Sequence, residues 1–374
     1  MRILMATYSF GPRFGGAERQ AARLAQELIN QGHHVEHVCA DLETRQDALG
    51  DITVNRLQGF VPHKGGRKAT WKRYGGRLVR FMRQRRGDFD LVHCHGAFDA
   101  SSLFIGAAAP RLGLPTVLKH ASGDEYRILK RRTRLPKAFA RPLHGRFTTH
   151  VTNNRPISLE LRDDPLFGQR ITQFIPNGVP LPDKTVSYHE EGQAPKMVCV
   201  SNFNKNKNQE ALVRAWPRVQ ELVPGARLAF AGTGSLLEHC KAVATELGVA
   251  DTIDFEGFVQ DVPALLQSSQ VFVFPSRHKE GMPNALLEAL ANGLPSVVLT
   301  QPAVVEVIHH DEQGIVITED DPDTVAEAIA AVLEPQTWQR MSQSARQRAE
   351  TEYAMAAVAH RYLDLYRRTL AAHP

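Results

Sequence analysis

Two carboxylates eight residues apart, Glu280 and Glu288 in the run EGMPNALLE, are the residues of this chain whose types and spacing most directly suggest chemistry. Glu280 precedes Gly281, where a backbone without Cβ can approach a ligand closely. Glu288 falls a little over one turn into the helical pattern NALLEALAN, which begins near Pro283 and is closed by Gly293. Free N–H groups and the macrodipole at a helix start favour a phosphate, and a carboxylate so placed can reach back toward what binds there. For an isolated pair at this spacing the favoured reading is the plain one, Glu288 as a surface residue on an amphipathic helix, so other stretches must decide.

Four loops supply further candidates. VSNFNKNKNQE carries Lys205 and Lys207 at or near a helix start, where an anion is doubly favoured, although a solvated polar loop has the same look. AGTGS contains Gly232, and EGFVQD contains Phe258 and Val259. With the loop SRHKEGMPN, these would open on one edge of one sheet, a site for a phosphorylated, hydroxyl-rich ligand. Near the start of the chain, GPRFGGAE offers Gly15 and Gly16 between a strand and a helix, either for close approach to a ligand or as a tight turn. It is not GxGxxG. LVHCHG and LKHASGDE each end a strand on histidine, with His93, His95 and His120. Such histidines suit hydrogen bonds to sugar hydroxyls or to structure. No cysteine or carboxylate spacing makes them a metal cluster, and no metal is expected.

The elements that must position these residues follow a regular alternation. RILMATY, the Gly-rich loop, AERQAARLAQELINQG and HVEHVCA read as strand, loop, helix, strand, a βαβ unit opening a parallel sheet. DITVNRL, DLVHCH, PTVLKH, THVTN and QFIPN read as further strands. The alternation restarts at KMVCVSNF and runs through ARLAFAG, TIDFEG, VFVFP, PSVVLT and GIVIT with helices between. The expected class is α/β, with two doubly wound domains: residues 1–182, a linker at 183–195, and residues 196–354. The segment Gln336 to Ala372 reads as long and amphipathic, with 355–374 packing back on the first domain.

The totals set limits. At 374 residues and 43% hydrophobic content the chain has the composition of a soluble two-domain protein. The four cysteines lack CxxC spacing and suit a reducing cytosol. No apolar run reaches the roughly 18–20 residues that span a bilayer. Residues 1–182 carry 29 Lys+Arg against 15 Asp+Glu, and residues 183–374 carry 16 against 25, within a net charge of +5. The basic half points to an anionic surface as partner. Its cations concentrate in 63–86 and 127–146, which hold ten and eight Lys+Arg and no acid. Trp71, Tyr74, Leu78, Phe81 and Met82 interleave the first of these. The pattern fits peripheral contact with an anionic membrane; a solvated face is the plain alternative, and no recognised nucleic-acid motif accompanies it.

Taken in order, GGAE, VHCH, the histidine of LKH, IPNGV, the lysine loop, GTG, GFV, EGMPNALLE and GLPSVV resemble the retaining glycosyltransferases of family 4. The resemblance runs from the first loop to about residue 330, and the E-x7-E block is its most specific element. It implies the GT-B fold: two Rossmann-like domains facing a cleft, the C-terminal helix crossing back to the first. It also implies a nucleotide-sugar donor held mainly by the second domain. Glu288 would bind the ribose hydroxyls and Glu280 would lie near the transferred sugar. Backbone amides around Gly281 to Asn284, a stretch that includes Met282 and Pro283, would hold that sugar's hydroxyls and the distal phosphate. Lys207 would balance the diphosphate, Gly16 would approach it from the first domain, and Phe258 and Val259 would meet the base. His120 would bond a donor hydroxyl near the reacting centre. The family loop usually carries arginine where this chain has Asn202, and Lys205 could substitute. After His120, ASGDE departs from the more usual G-x-D.

The expected function is therefore retaining transfer of a hexosyl or N-acetylhexosaminyl unit, from a UDP-sugar in preference to a GDP-sugar, to a saccharide or glycolipid acceptor in cell-surface polysaccharide or lipopolysaccharide synthesis. The enzyme would be cytoplasmic and peripheral on the inner face of the cytoplasmic membrane. A nucleotide-sugar epimerase of the same fold, or a non-enzymatic protein that binds anionic surfaces, are the rival readings.

Overall fold

The structure is a computed structural model that describes residues 1–10, 15–41, 48–58, 66–97, 99–120, 142–168, 170–188, 193–277 and 281–373. The chain forms two units, Met1–Gly178 with Met355–Pro374, and Val179–Ala354.

The first unit contains β1 (Arg2–Ala6), α1 (Gly16–Asn30), β2 (His34–Asp41), β3 (Ala48–Leu49), β4 (Ile52–Gln58), α2 (Gly66–Gln84), β5 (Leu91–His95) and α3 (Ala100–Ala108). β6 (Thr116–His120), β7 (Thr149–Thr152), α4 (Arg155–Arg162) and β8 (Ile171–Phe174) follow. The sheet order is β3-β4-β2-β1-β5-β6-β7-β8, parallel except for the two-residue β3. Side chains alternate across it. Ile3 and Met5 join one buried cluster with Leu24, Leu28 and Val35, while Leu4 and Ala6 join another with Tyr74, Leu78 and Val92. A sheet covered on both faces explains why these strands read as nearly continuous apolar runs.

The second unit contains β9 (Lys196–Val200), α5 (Gln209–Leu222), β10 (Arg227–Ala231), α6 (Leu237–Glu246), β11 (Ile253–Gly257), α7 (Val262–Gln267), β12 (Val271–Phe274) and α8 (Asn284–Ala291). It continues with β13 (Ser296–Leu299), α9 (Pro302–Val305), β14 (Gly314–Ile317), α10 (Pro322–Leu333) and α11 (Pro335–Arg348). Its all-parallel order, β11-β10-β9-β12-β13-β14, is the doubly wound arrangement with a reversal between β9 and β12. The first sheet has the same reversal between β1 and β5.

The segment expected as one long helical run after Gln336 is interrupted. A π-turn, Ala349–Tyr353, ends α11, and Ala354 takes extended backbone (φ −52°, ψ 132°) before α12 (Met355–Ala371) begins. There Ala354 bridges Val179, whose N–H donates to the Tyr353 carbonyl at 2.8 Å. Helix α12 belongs to the first unit and buries Val358, Tyr362, Leu363 and Tyr366 against its core. The chain leaves the first unit after Gly178, ahead of 183–195. Within that stretch the Val186 N–H donates to the Asn292 carbonyl at 2.8 Å, and the Tyr188 hydroxyl donates to Leu333 at 2.6 Å.

Helix α2 refines the reading of the basic stretch 63–86. Tyr74, Leu78 and Met82 are fully buried, and Trp71 and Phe81 pack against the same core. Its apolar face is core, and Lys72, Arg73, Arg77, Arg80 and Arg83 face outward, for the part that the structure describes. Most of 127–146 lies outside the described residues. Among the described residues no helix is long and apolar enough to cross a membrane.

Candidate functional site

In an open parallel sheet the ligand crevice forms where strand order reverses, at the carboxyl ends of the flanking strands. In the second unit this places the loops after β9 and β12 side by side. The β9 loop is anchored by Phe203, which is buried and packs with its ring 5.4 Å from that of Phe230. It is laced to the β10 loop: the Ser201 N–H donates to Ala231 (3.0 Å), and the Phe203 N–H donates to Thr233 (2.9 Å). Gly232 and Gly234 make this possible. Both have positive φ, and a Cβ there would lie 2.0 Å from the Ser201 oxygen and 2.2 Å from the Phe203 oxygen.

The same β9 loop is laced to the β12 loop. The Arg277 N–H (2.9 Å) and the Ser276 hydroxyl (3.1 Å) both donate to the Asn206 carbonyl. Asn208, in left-handed backbone at φ 55°, donates from its amide to Pro275 and to Asp320. Arg277 in turn pairs with Asp320 at 2.6 Å. That hydrogen-bonded guanidinium holds the Asp320 carboxyl below the usual carboxylate range despite partial burial. Lys207 is thereby fixed just before α5, its ammonium 5.3 Å from the centre of the Phe274 ring. A cation and the start of a helix are thus held together by backbone that is already tied down, which is the preorganisation an anion site needs.

Helix α8 begins at Asn284, after Gly281, Met282 and Pro283, all three buried. Glu288 is only 7% exposed, so it is not a surface acid on an amphipathic helix. Gly293, at φ 71°, ends the helix as its spacing predicts. Glu280 lies outside the described residues. Helices α1, α5 and α8, which open on the candidate loops, carry no side-chain N-cap, whereas Asp99, Asn154, Asp261 and Asp321 cap α3, α4, α7 and α10. Helices α6, α9 and α11 are uncapped too, so a missing cap permits an anion without marking one.

The remaining candidates of this unit lie farther toward solvent. Asn202 and Lys205 are exposed, and the Asn202 carbonyl accepts from Gln209 at 3.0 Å. Phe258 is 62% exposed after β11, with Val259 half-buried beside it. An aromatic ring left in water next to a laced loop is available to a flat, apolar ligand group.

The first unit's edge is built differently. Gly15 precedes α1 in extended backbone (φ −67°, ψ 173°) and Gly16 opens that helix; residues 11–14 lie outside the described residues. His95 ends β5 and His120 ends β6, with His93 two residues before His95. His93 accepts or donates to the Tyr366 hydroxyl at 2.6 Å, which ties β5 to α12, and its ring lies 4.1 Å from that of His95. His120, 1% exposed, meets His150 at 3.1 Å through Nε2, and its Nδ1 has no partner among the described residues. Burial pulls His120 down to about 3 and His144 to about 4, so both rings are neutral at pH 7. A neutral imidazole can donate to or accept from a sugar hydroxyl. Among the described residues no group of three His, Cys, Asp or Glu side chains is placed to hold a metal ion.

Several contributors escaped the sequence reading. Lys119 is buried, its ammonium donating to Asn177 Oδ1 at 2.9 Å, and burial pulls it down to about 7. Asn177 belongs to IPNGV, whose Gly178 exchanges two hydrogen bonds with the Gln20 amide, at 2.9 and 3.0 Å. A Cβ on Gly178 would lie 2.6 Å from the Met355 methyl, which explains the glycine of that motif. His150 sits inside the run THVTN with nothing beside it in sequence to mark it. The strand pattern was the only signal these residues gave.

Two parallel α/β units with coincident reversals, and ligand loops on their carboxyl edges, define a class, and the comparisons agree on it. The family description "Glycosyltransferase Family 4" matches residues 14–182 and "Glycosyl transferases group 1" matches residues 194–335. The chain belongs to the group 1/family 4 glycosyltransferases and has the GT-B fold. It is 28% identical over 359 residues, 89% of each chain, to a GDP-mannose-dependent alpha-(1-6)-phosphatidylinositol monomannoside mannosyltransferase of Mycobacterium tuberculosis. It is 24% identical over 388 residues, 98% of this chain and 97% of the other, to the UDP-Gal:alpha-D-GlcNAc-diphosphoundecaprenol alpha-1,3-galactosyltransferase of Escherichia coli. Among solved structures, HepE of Anabaena in complex with UDP matches with a TM-score of 0.78 at 16% identity, over 98% of this chain and 100% of that one. Sucrose-phosphate synthase of Thermosynechococcus elongatus matches with a TM-score of 0.80 at 17% identity, over 99% of each.

Proposed function

We propose that this glycosyltransferase moves a hexosyl or N-acetylhexosaminyl unit from a nucleotide diphosphate sugar to a saccharide or glycolipid acceptor, with retention of anomeric configuration and without a metal. The observation that carries this reading is the second unit's edge. Lys207 is held at a helix start by loops laced to one another, and Glu288 is buried on the neighbouring helix. Lys207 balances the diphosphate as negative charge develops on the leaving oxygen, replacing a metal. Glu288 takes the ribose hydroxyls, and the backbone from Gly281 to Asn284 takes the sugar and distal phosphate. Phe258 and Val259 meet the base, Gly15 and Gly16 approach the diphosphate, and His120 bonds a donor hydroxyl through Nδ1. Glu280 lies near the transferred sugar.

Attack is from the front face. The acceptor oxygen bonds to the anomeric carbon while the bond from that carbon to the diphosphate oxygen breaks. The electron pair leaves on the diphosphate, and the departing phosphate takes the acceptor proton. A product whose anomeric configuration is inverted, seen by proton NMR, would exclude this route.

UDP is the favoured nucleotide, in line with the galactosyltransferase relative, which spans nearly the whole chain. GDP is the second reading, favoured by the higher identity to the mannosyltransferase. Thermal shifts with UDP and GDP decide between them; a shift with neither would overturn the donor assignment. Incubation of donor without acceptor separates transfer from epimerisation, since only an epimerase converts the donor sugar to its epimer. The acceptor we infer is an anionic glycolipid, in line with the lipid-linked acceptors named for both relatives and with the basic first unit. Because the apolar face of α2 is core, peripheral membrane contact through this helix would be electrostatic rather than insertion.

A further inference from the structure

The carboxyl edges do not account for an arginine-lined cleft at the opposite, amino edge of the first sheet. The turns leading into β6, β7 and β8, with the end of α12, enclose an open cleft of about 410 Å3. Arg111, Arg146 and Arg170 line it together with Leu114, Thr148 and His373. No acid lines it. Some arginines of the unit are paired with carboxylates, as Arg2 is with Asp90 at 2.7 Å and Arg85 with Glu36 at 2.6 Å. Among the described residues none of the three cleft arginines has such a partner.

All three are exposed, and three permanently charged guanidinium groups around one cleft sum to a positive field that favours an anion there. Two are also braced. Arg111 donates to the Ala107 carbonyl at 2.5 Å, and Arg170 donates through Nε to the Gly145 carbonyl at 3.1 Å. Each brace uses one of five N–H donors and orients the planar fork, leaving the other donors for a ligand. The Arg146 guanidinium makes no hydrogen bond to the protein among the described residues. The volume falls in the small-molecule range, and guanidinium forks match phosphate oxygens two at a time.

We propose that this cleft is a second anion site, separate from the donor site, for a ligand bearing a diphosphate or two phosphate groups. Such a group could be free in solution or carried by a lipid. The proposal does not depend on the donor assignment, because no residue of the cleft belongs to the donor site.

The test uses the full chain in three forms: wild type, Arg111→Gln with Arg146→Gln and Arg170→Gln, and Arg73→Gln with Arg80→Gln and Arg83→Gln. The last removes the same charge from α2. Inorganic pyrophosphate is titrated calorimetrically at low salt, and binding to vesicles of phosphatidylglycerol in phosphatidylcholine is measured by flotation. The donor site is common to all three forms, so differences report the cleft. Pyrophosphate should bind the cleft variant about 100-fold more weakly at one of its sites, or lose that site, while the α2 variant matches wild type. Arg146→Gln alone, which breaks no side-chain hydrogen bond or ion pair among the described residues, should weaken binding about tenfold. If vesicle binding also falls in the cleft variant, the phosphate is a lipid headgroup; if it follows only the α2 variant, the ligand is a free anion. Pyrophosphate binding unchanged in the cleft variant, or reduced equally in the α2 variant, would overturn the site.

Discussion

The two units share a six-strand parallel order, to which the first adds β3 and β8, and reverse it at the same point, yet their carboxyl edges are made of different material. The first unit carries buried ionisable side chains in its central strands, His95 and His120 at their carboxyl ends and His93, Lys119 and His150 before them. The second ends its strands on laced backbone, with Gly232 and Gly234 pressed against the β9 loop and Lys207 half-buried beside Phe274. Neutral imidazoles suit hydroxyl groups, whereas fixed N–H groups and a cation suit phosphate. The same topology therefore supports two kinds of recognition, and the difference lies in whether side chains or backbone face the ligand.

The largest effect expected from this contrast is acid lability confined to the first unit. Burial holds His37 and His120 down to about 3 and His144 to about 4, and pushes His93, His95 and His150 down as well. Above pH 6.5 both folded and unfolded chains carry these rings neutral, and they add no pH dependence. Below it the unfolded chain takes protons that the folded unit refuses, so stability falls until the folded values near 3–4 are reached. At pH 5 the loss is up to about 2 kcal/mol per ring, a large share of a domain's total if only some of the six act. In the described part of the second unit His239, His309 and His310 are exposed. Hydrogen exchange at pH 7.5, 6 and 5 should show the first unit opening first; simultaneous opening would break the comparison.

On the second unit, Lys207→Ala should lower kcat by about 100- to 1,000-fold, the range seen when a preorganised group facing developing charge is removed. Lys205→Ala, at an exposed position, should change kcat much less. Equal effects would mean that the lacing of the loop does not matter. Gly234→Ala should destabilise this unit by about 2–4 kcal/mol, because its φ of 153° and the Phe203 carbonyl leave no room for a Cβ; a urea melt measures it. The smallest effect expected is from Tyr366→Phe, which removes the 2.6 Å bond to His93 and should cost the first unit about 1 kcal/mol. An unchanged melt would mean that the histidine edge is not braced by α12.

Much of this frame was legible in the residues. Alternating strands and helices gave two doubly wound units, and glycines such as Gly293 marked where helices end. The pattern after Pro283 marked the helix that carries Glu288, but not that Glu288 is buried, since burial depends on what packs over α8. The link from Arg277 to Asp320 joins residues 43 apart, and no local pattern announces such a pair. Helix α2 shows the other limit. Its amphipathic pattern is plain, but a pattern does not say whether the apolar face of Tyr74, Leu78 and Met82 meets a membrane or a core. Lys119 and His150 were hidden by strand runs whose apolar neighbours set the reading. The interruption at Ala354 was hidden too, because it comes from pairing with Val179, far away in the chain.

The central claim is that the second unit's carboxyl edge holds the donor nucleotide. Hydrogen exchange with and without UDP, and with GDP in parallel, tests it most directly on the intact chain. One of the two nucleotides should slow exchange across 201–209 and 281–288, and Lys207→Ala combined with Glu288→Ala should abolish that protection. Protection confined to the first unit, or undiminished in the double variant, would contradict the account.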